Sequence, residues 1–256
     1  MPSTAMNSTL TTVGLAACAL ALSACGTGVA QETDGDSSAE TVTIENCGTE
    51  REFPLAPEAV VGMAPAQTEL LVRLGVADTL VGQAQVGMAP LPEDVAGVVK
   101  DVPVIGGDTP PSREELLSVE PDLVFSPTGY EFTAEQGFAS MEQLEQVGAA
   151  AYLATGGCPE RRMTGTVEDL FVDLENLGRI FEAEEAAADL EEQARAELDE
   201  VEAALADVEP VRMAQVYVDG ESLSAIGAGI EYDIMARAGG DNVYAPDDEA
   251  FSSFFA

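Results

Sequence analysis

The longest uninterrupted helix pattern in the chain covers residues 166–208, and it limits the folds available to the rest of the sequence. This stretch has no proline, and its only glycine is Gly178. Its second half repeats apolar residues at steps of three or four, which places them on one side of a helix: Leu190, Ala194, Leu198, Val201, Leu205 and Val208. A helix over residues 184–206 rises roughly 35 Å. We interpret it as a connection between two lobes; the alternative is a long surface helix of a single domain.

Before this helix, strand and helix patterns alternate. Residues 41–53 alternate in polarity around a Cys-Gly pair, which predicts a hairpin. Strands are predicted at residues 60–63, 79–86, 102–105, 122–126 and 149–154. The runs at 122–126 and 149–154 are continuously apolar, which is typical of parallel strands covered on both faces. Capping boxes at Ser112 and Thr133 predict helix starts, and the second helix is expected to run to Val147. This pattern predicts a doubly wound α/β lobe over residues 41–165.

After the linker helices of residues 166–208 the same alternation begins again. Strands are predicted at 211–218, 222–226 and 242–244, and a helix at 231–238. This second α/β lobe, residues 209–256, has roughly 50 residues, which is near the lower limit for independent folding. Because the chain stops at two phenylalanines directly after a strand and turn, we expect the second lobe to be incomplete.

The charge balance and the missing histidines exclude several classes of protein. A net charge of −37, from 47 acidic against 10 basic residues, argues against nucleic acid and anionic lipid head groups as partners and favours a soluble monomer. Without histidine there can be no Ser-His-Asp hydrolase, Cys-His enzyme or His-ligated zinc site. No phosphate-binding loop or nucleophile elbow is present. We therefore expect no catalytic residues, no resident metal and no cofactor.

The N-terminus has the pattern of an export signal. Residues 10–24 form an apolar run that is too short to span a bilayer and has the length of a signal-peptide core. The run ends in Leu-Ser-Ala before Cys25, which resembles the bacterial lipobox, although no Lys or Arg precedes the core. This predicts a lipoprotein signal peptide over residues 1–25, lipidation of Cys25 and anchoring on the outer face of the cytoplasmic membrane. Residues 26–40 are then a disordered tether. The alternative for the apolar run that ends at Cys25 is a buried helix with an incidental cysteine.

Two cysteines remain after such processing, Cys47 and Cys158. Outside the cytoplasm an even pair is most simply a disulfide. The alternative is two free buried thiols.

Several short motifs resemble one family when they are taken in order. They are residues 64–71 with 74–76, residues 111–117 leading into 120–124, residues 177–181 and residues 238–243. Together, over about residues 41–255, they resemble the helical-backbone substrate-binding proteins of ABC importers for ferric siderophores, haem and cobalamin. The segments around Cys47 and Cys158 are similar to an actinobacterial subgroup of that family.

The resemblance implies two Rossmann-like lobes joined by a long rigid helix, with the ligand in the cleft between them. In the family, a glutamate on each lobe docks on arginines of the permease. The resemblance assigns the first to Glu69, while the residue pattern alone equally allows an exposed acid in the first turn of a helix. The second glutamate would lie beyond Ala256.

Ligands of open α/β sheets bind beyond the carboxyl ends of the strands. This rule predicts the following ligand-binding residues: Met63, Pro65, Gln85, Ser126, Tyr130, Arg161, Arg162 and Tyr217. The two adjacent arginines suit the oxygens of an anionic chelate. The alternative is that they pair with nearby acids, Glu160 and Glu168.

These observations together predict a lipid-anchored protein that captures an iron(III)–siderophore, or a similar metal chelate, for an ABC permease. Haem or cobalamin on the same fold is the first alternative, and haem would need an axial Tyr or Met because histidine is absent. A surface lipoprotein without a transport role, or a non-functional fragment, is the second.

Overall fold

An N-terminal hairpin is the first element of the fold. The computed structural model describes residues 40–219 and 222–244, with the backbone alone at 217–219 and 222–224. Strands β1 (Thr41–Asn46) and β2 (Thr49–Pro54) pair antiparallel, as predicted. Their turn residues Cys47 and Gly48 both have positive φ, 52° and 67°, which suits the twist of a two-residue hairpin. Residues 1–39 with Cys25, and residues 245–256, lie outside the described residues.

Four short strands form a parallel sheet in the order β4-β3-β5-β6. They are β3 (Val60–Gly62), β4 (Leu80–Gln83), β5 (Leu123–Ser126) and β6 (Ala150–Leu153). All four residues of β5 are buried, as expected for a strand covered on both faces. The strand predicted at 102–105 is reduced to a single bridge between Gln83 and Val104. Because β3 has β4 on one side and β5 on the other, the winding direction of the sheet reverses between β3 and β5.

The helices of this lobe begin and end at the expected signals, with one exception. Helix α1 (Pro65–Arg73) starts on a proline, and Gly75 follows it with φ of 86°. Helix α2 spans Glu93–Val98. The capping box that opens α3 (Arg113–Ser118) is present, since Ser112 and Glu115 exchange both hydrogen bonds.

The helix predicted from Thr133 to Val147 is wrong. The Thr133 side chain makes no capping hydrogen bond, and the turn at Ala134–Gln136 ends at Gly137 with φ of 87°. A glycine in the left-handed region stops a helix. Helix α4 (Met141–Glu145) starts afresh at Ser140, which forms its own capping box with Gln143.

The linker region consists of two helices, α5 (Glu168–Ile180) and α6 (Glu184–Leu205). Between the two helices the chain turns at Glu182, which has a φ of 53°. The buried face of α5 follows the helical repeat: Phe171, Leu174, Leu177 and Ile180. On α6 the first half of the predicted apolar stripe packs against the core, while Val201 and Val208 are exposed. Helix α6, with 22 residues, is roughly 33 Å long.

The second lobe is smaller, and it contacts the first at α5. Its elements are β7 (Val211–Met213), β8 (Gln215–Asp219), β9 (Ser222–Ile226), α7 (Ile230–Arg237) and β10 (Gly240–Asn242). Strands β8 and β9 form a hairpin, and β10 lies parallel to β7. The strand predicted at 211–218 is thus divided at Ala214. Asp233 of α7 accepts a hydrogen bond from the Val167 amide at 2.8 Å, and the described residues of both lobes belong to one compact unit.

Gly178 allows α5 and α6 to cross closely. A Cβ at this position would lie 2.8 Å from the Cβ of Ala187. We expect Gly178→Ala to lower the free energy of unfolding by about 1–2 kcal/mol, because the overpacking exceeds the gain in helix propensity. Gly97→Ala is the matched control, since nothing lies within 4 Å of its Cβ position. Urea titration of both variants checks this; equal stabilisation of both would contradict the close crossing.

Candidate ligand-binding cleft

A cleft of about 1370 Å³ opens beside the point where the sheet reverses its winding. It is lined by one side of α1, the loop after β5, the segment after β6, the first half of α5 and the start of α7. The first two follow β3 and β5, so the cleft lies where open α/β sheets bind ligands. Its volume exceeds the roughly 300–1,000 Å³ of common small-molecule pockets. The cleft can therefore hold a bulky ligand.

Of the predicted site residues after β5, Tyr130 lines the cleft and is 55% exposed. Its ring packs edge-to-face on Phe138, with centroids 5.7 Å apart. Ser126 is fully buried, and its hydroxyl donates to the Thr128 carbonyl at 3.0 Å. The loop therefore presents Tyr130 to the cleft while Ser126 holds the loop from beneath.

The same loop is organised by Glu131, a buried carboxylate that no sequence pattern had indicated. It accepts hydrogen bonds from Thr128 Oγ1 at 2.6 Å and from Gln85 Nε2 at 3.4 Å. Gln85 also donates to the Met63 carbonyl at 2.8 Å. Met63 and Gln85 are buried, so two residues predicted to touch ligand instead support the loop.

The two adjacent arginines have different environments. Arg161 forms a double hydrogen bond with buried Asp169, with Nη2–Oδ1 at 2.6 Å and Nε–Oδ1 at 3.1 Å. The alternative prediction, that the arginines pair with nearby acids, is therefore correct for Arg161. Its partner is Asp169, however, and not Glu160 or Glu168. Arg162 lines the cleft, is exposed and forms no ion pair with any residue that the structure describes. One guanidinium, not two, is available to a ligand.

The floor of the cleft contains a second buried acid, Asp173. Its Oδ1 accepts hydrogen bonds from the Tyr152 hydroxyl at 2.7 Å and the Thr155 hydroxyl at 2.6 Å. Burial raises the pKa of Asp173 to about 6, although the hydrogen bonds from Thr155 and Tyr152 oppose that rise. Burial likewise raises the pKa of Tyr152. Asp173 thus changes charge close to neutral pH.

Helix α1 lines the cleft with Gln67, a polar residue that was not among the predicted site residues. Gln67 is buried, with 7% of the residue exposed. Its Oε1 nevertheless has no hydrogen-bond partner among the described residues. Pro65 is buried at the helix start. Glu69 also lines the cleft and pairs with Arg73 at 2.8 Å; it lies beyond the first turn. For Tyr217, in β8, the structure describes the backbone alone.

The segment that carries the arginines is fixed at two places. Cys158 is bonded to Cys47 of the hairpin turn, with Cα atoms 5.2 Å apart. A Cβ at Gly157 would collide with the Pro127 carbonyl oxygen, and one at Gly229 with the Arg162 carbonyl oxygen. These glycines allow the segment to touch both the loop after β5 and the second lobe. The proposed ligand contact of Arg162 therefore rests on an anchored backbone.

A doubly wound lobe, a smaller α/β lobe and a shared cleft beside one long connecting helix define the architecture of two-lobed binding proteins. The chain belongs to the periplasmic binding protein family, whose model matches residues 60–254. This confirms the family resemblance drawn from the motifs. Within residues 40–219 and 222–244, no helix combines the length and the hydropathy needed to cross a bilayer.

Individual relatives are distant. The chain is 25% identical to the vitamin B12-binding protein of Vibrio parahaemolyticus over 188 residues, which cover 73% of this chain and 62% of that protein. It therefore spans less than two thirds of that relative's length. A periplasmic binding protein from Veillonella parvula aligns with a TM-score of 0.69 at 22% identity, covering 84% of this chain and 70% of that one. An ABC-type Fe³⁺-hydroxamate transport system from Saccharomonospora viridis aligns with a TM-score of 0.65 at 25% identity, covering 82% of this chain and 72% of that one.

Proposed function

We propose that this protein captures an iron(III)–siderophore, or a related metal chelate, in the cleft and passes it to an ABC permease. The observation that carries the proposal is a large cleft at the winding reversal of the sheet, with unpaired Arg162 and exposed Tyr130 on its walls. Chelate oxygens accept hydrogen bonds from a guanidinium, and the aromatic ring offers an apolar contact. Family membership and the relative from a hydroxamate transport system support the same cargo.

We propose the cellular location that the sequence predicts. The chain is exported, is anchored through lipid on Cys25, and holds its cleft outside the cytoplasmic membrane. Lobes over residues 41–165 and 209–256 close on the ligand about the linker helices of residues 166–208. Because α6 is a continuous helix, closure is limited to small rotations.

Docking on the permease is assigned to Glu69. Its carboxylate is paired with Arg73, and Arg73 also reaches Asp94 at 3.2 Å. These are exposed pairs, which contribute little to stability. A permease arginine can therefore replace Arg73 as the partner of Glu69 at small cost.

Arg162→Gln tests the ligand contact. We expect binding of a ferric trishydroxamate to weaken by roughly 10-fold to 150-fold, since a hydrogen bond to a charged group contributes about 1.5–3 kcal/mol and about 1.4 kcal/mol corresponds to a factor of ten. Equilibrium dialysis of the full chain, with iron quantified on both sides, measures the affinity. Arg212→Gln is the matched control, because Arg212 is 78% exposed on its side chain and does not line the cleft. Equal affinity of the Arg162 variant and the unchanged protein would refute the role of Arg162.

Cobalamin is the second candidate cargo, because the curated relative is a vitamin B12-binding protein. Titration with cyanocobalamin distinguishes it: tight binding of the corrinoid, with no binding of ferric chelates, would replace the siderophore assignment. Haem is tested in the same way by a Soret band that changes when Tyr130, the cleft tyrosine, is replaced by Phe.

A further inference from the structure

Helix α1 starts at the cleft without a side-chain cap. Its N-cap residue is Ala64, whose side chain has no oxygen, and no acidic residue occupies its first turn. Pro65 has no N–H, and the next two residues, Ala66 and Gln67, line the cleft. Because the first N–H groups of a helix have no intrahelical partner, the backbone donors of these two residues remain available to an acceptor in the cleft.

The side chain of Gln67 points to a ligand independently of the helix start. The residue is 7% exposed, and its enclosed Oε1 has no hydrogen-bond partner in the described part of the chain. Its Nε2 is not enclosed and donates to no described residue, so it faces the cleft that Gln67 lines. Exchanging the two atoms would bury a donor instead of an acceptor. The other enclosed atoms without a partner, Arg51 Nε and Thr68 Oγ1, belong to residues that do not line the cleft.

A second buried glutamine shows how a structural amide is used in this fold. Gln83, at the end of β4, is 6% exposed. Its Nε2 donates to the Val99 carbonyl at 3.0 Å and to the Val102 carbonyl at 3.1 Å, so it ties β4 to the segment after α2. Gln83 does not line the cleft. The two glutamines thus match in burial, but the amide of Gln67 makes no such internal connection.

We propose that Gln67 is a further ligand-contact residue, whose Nε2 donates to an acceptor oxygen of the bound cargo together with the free N–H groups at the start of α1. This inference rests on the proposed function. All of these groups are donors, and the positive end of the helix dipole lies at the same point, so an oxygen with negative partial charge fits there. A buried polar atom without a partner lowers stability. The protein tolerates this cost because the same amide serves the cleft.

Gln67→Met separates a ligand contact from a structural role, because methionine has nearly the same size and no polar group to satisfy. We expect the Tm of the ligand-free protein to rise by about 2–4 °C, since the unsatisfied buried oxygen is removed. We expect the affinity for the ferric complex of desferrioxamine B to fall about threefold to tenfold, since one donor to the cargo is lost. Circular dichroism and equilibrium dialysis of the full chain measure the two effects.

Gln83→Met is the matched control. This change leaves the Val99 and Val102 carbonyls without their donor, so we expect the Tm to fall by about 4 °C or more. Because Gln83 lies away from the cleft, the affinity for the ferric complex, measured well below the Tm, should equal that of the unchanged protein. One substitution therefore raises stability and weakens binding, and the other lowers stability alone.

The outcomes distinguish the contact from the proposed function. A Gln67→Met variant that binds the ferric complex as tightly as the unchanged protein overturns the contact and leaves chelate capture standing. Weaker binding together with a lower Tm shows that the amide supports the fold, and it overturns the contact as well. If the unchanged protein binds cyanocobalamin instead, the same fall in affinity is expected for the corrinoid. Failure of the unchanged protein to bind either probe overturns the proposed function and the contact together.

Discussion

Replacing Cys47 and Cys158 together by alanine is expected to lower the free energy of unfolding by about 4–5 kcal/mol. The bond joins residues 111 positions apart, and the chain-entropy treatment of cross-links gives this magnitude for a loop of that length. For a chain of this size we expect a fall in Tm of roughly 10 °C or more. Thermal unfolding followed by circular dichroism measures it.

The same experiment contains its own control. A reductant should lower the Tm of the unchanged protein toward that of the double variant and should leave the variant unaffected. Because Cys158 precedes Arg161 and Arg162 by a few residues, the variant should also bind ferric chelates more weakly. A double variant with the Tm of the unchanged protein would show that the hairpin and the cleft segment hold each other without the bond.

Asp173 should make the protein less stable as pH rises from about 4 to about 6.5. Burial raises its pKa from 3.8 to about 6 in the folded protein. Between these values the folded state retains a proton that the unfolded chain releases, so stability is lost as pH increases. The full loss is about 3 kcal/mol, since each pKa unit corresponds to about 1.4 kcal/mol.

Asp173→Asn removes this titration. Between pH 4 and pH 6.5 we expect the free energy of unfolding of the variant to rise by about 2 kcal/mol relative to that of the unchanged protein. The altered hydrogen bonds add an offset that does not change with pH. Urea titrations between pH 4 and pH 6.5 measure this difference. The control is Asp199→Asn, on the exposed side of α6, whose difference in stability from the unchanged protein should stay constant with pH. A flat difference for Asp173→Asn would show that the carboxylate titrates normally.

Local chemistry made most of the fold predictable from the sequence. The Cys47-Gly48 turn, the proline that starts α1 and the capping box at Ser112 depend on neighbouring residues, and all three are present. The helix predicted to start at Thr133 was wrong because two capping signals lie close together, and only the second one starts a helix. Gly137 favours a stop, and Ser140 with Gln143 is an equally good start.

The site was less predictable because it depends on packing between distant segments. The strand-end rule selected Tyr130 and Arg162, which line the cleft, but also Met63 and Gln85, which point into the protein. Burial of a residue directly after a strand depends on the neighbouring loop. Asp169 and Asp173 reach the cleft because α5 packs against β6 and the segment that follows it. Helix α7 reaches it through its contact with the start of α5. No local pattern in the sequence specifies either packing.

The most direct test of the account is the position of iron in crystals of the full chain grown with a ferric trishydroxamate. Anomalous scattering at the iron edge locates the metal independently of the protein. We predict one strong peak inside the cleft, with chelate oxygens in hydrogen-bond reach of Arg162 and the chelate against the ring of Tyr130. A peak elsewhere on the protein, or none at a chelate concentration that saturates binding in solution, would contradict capture in the cleft.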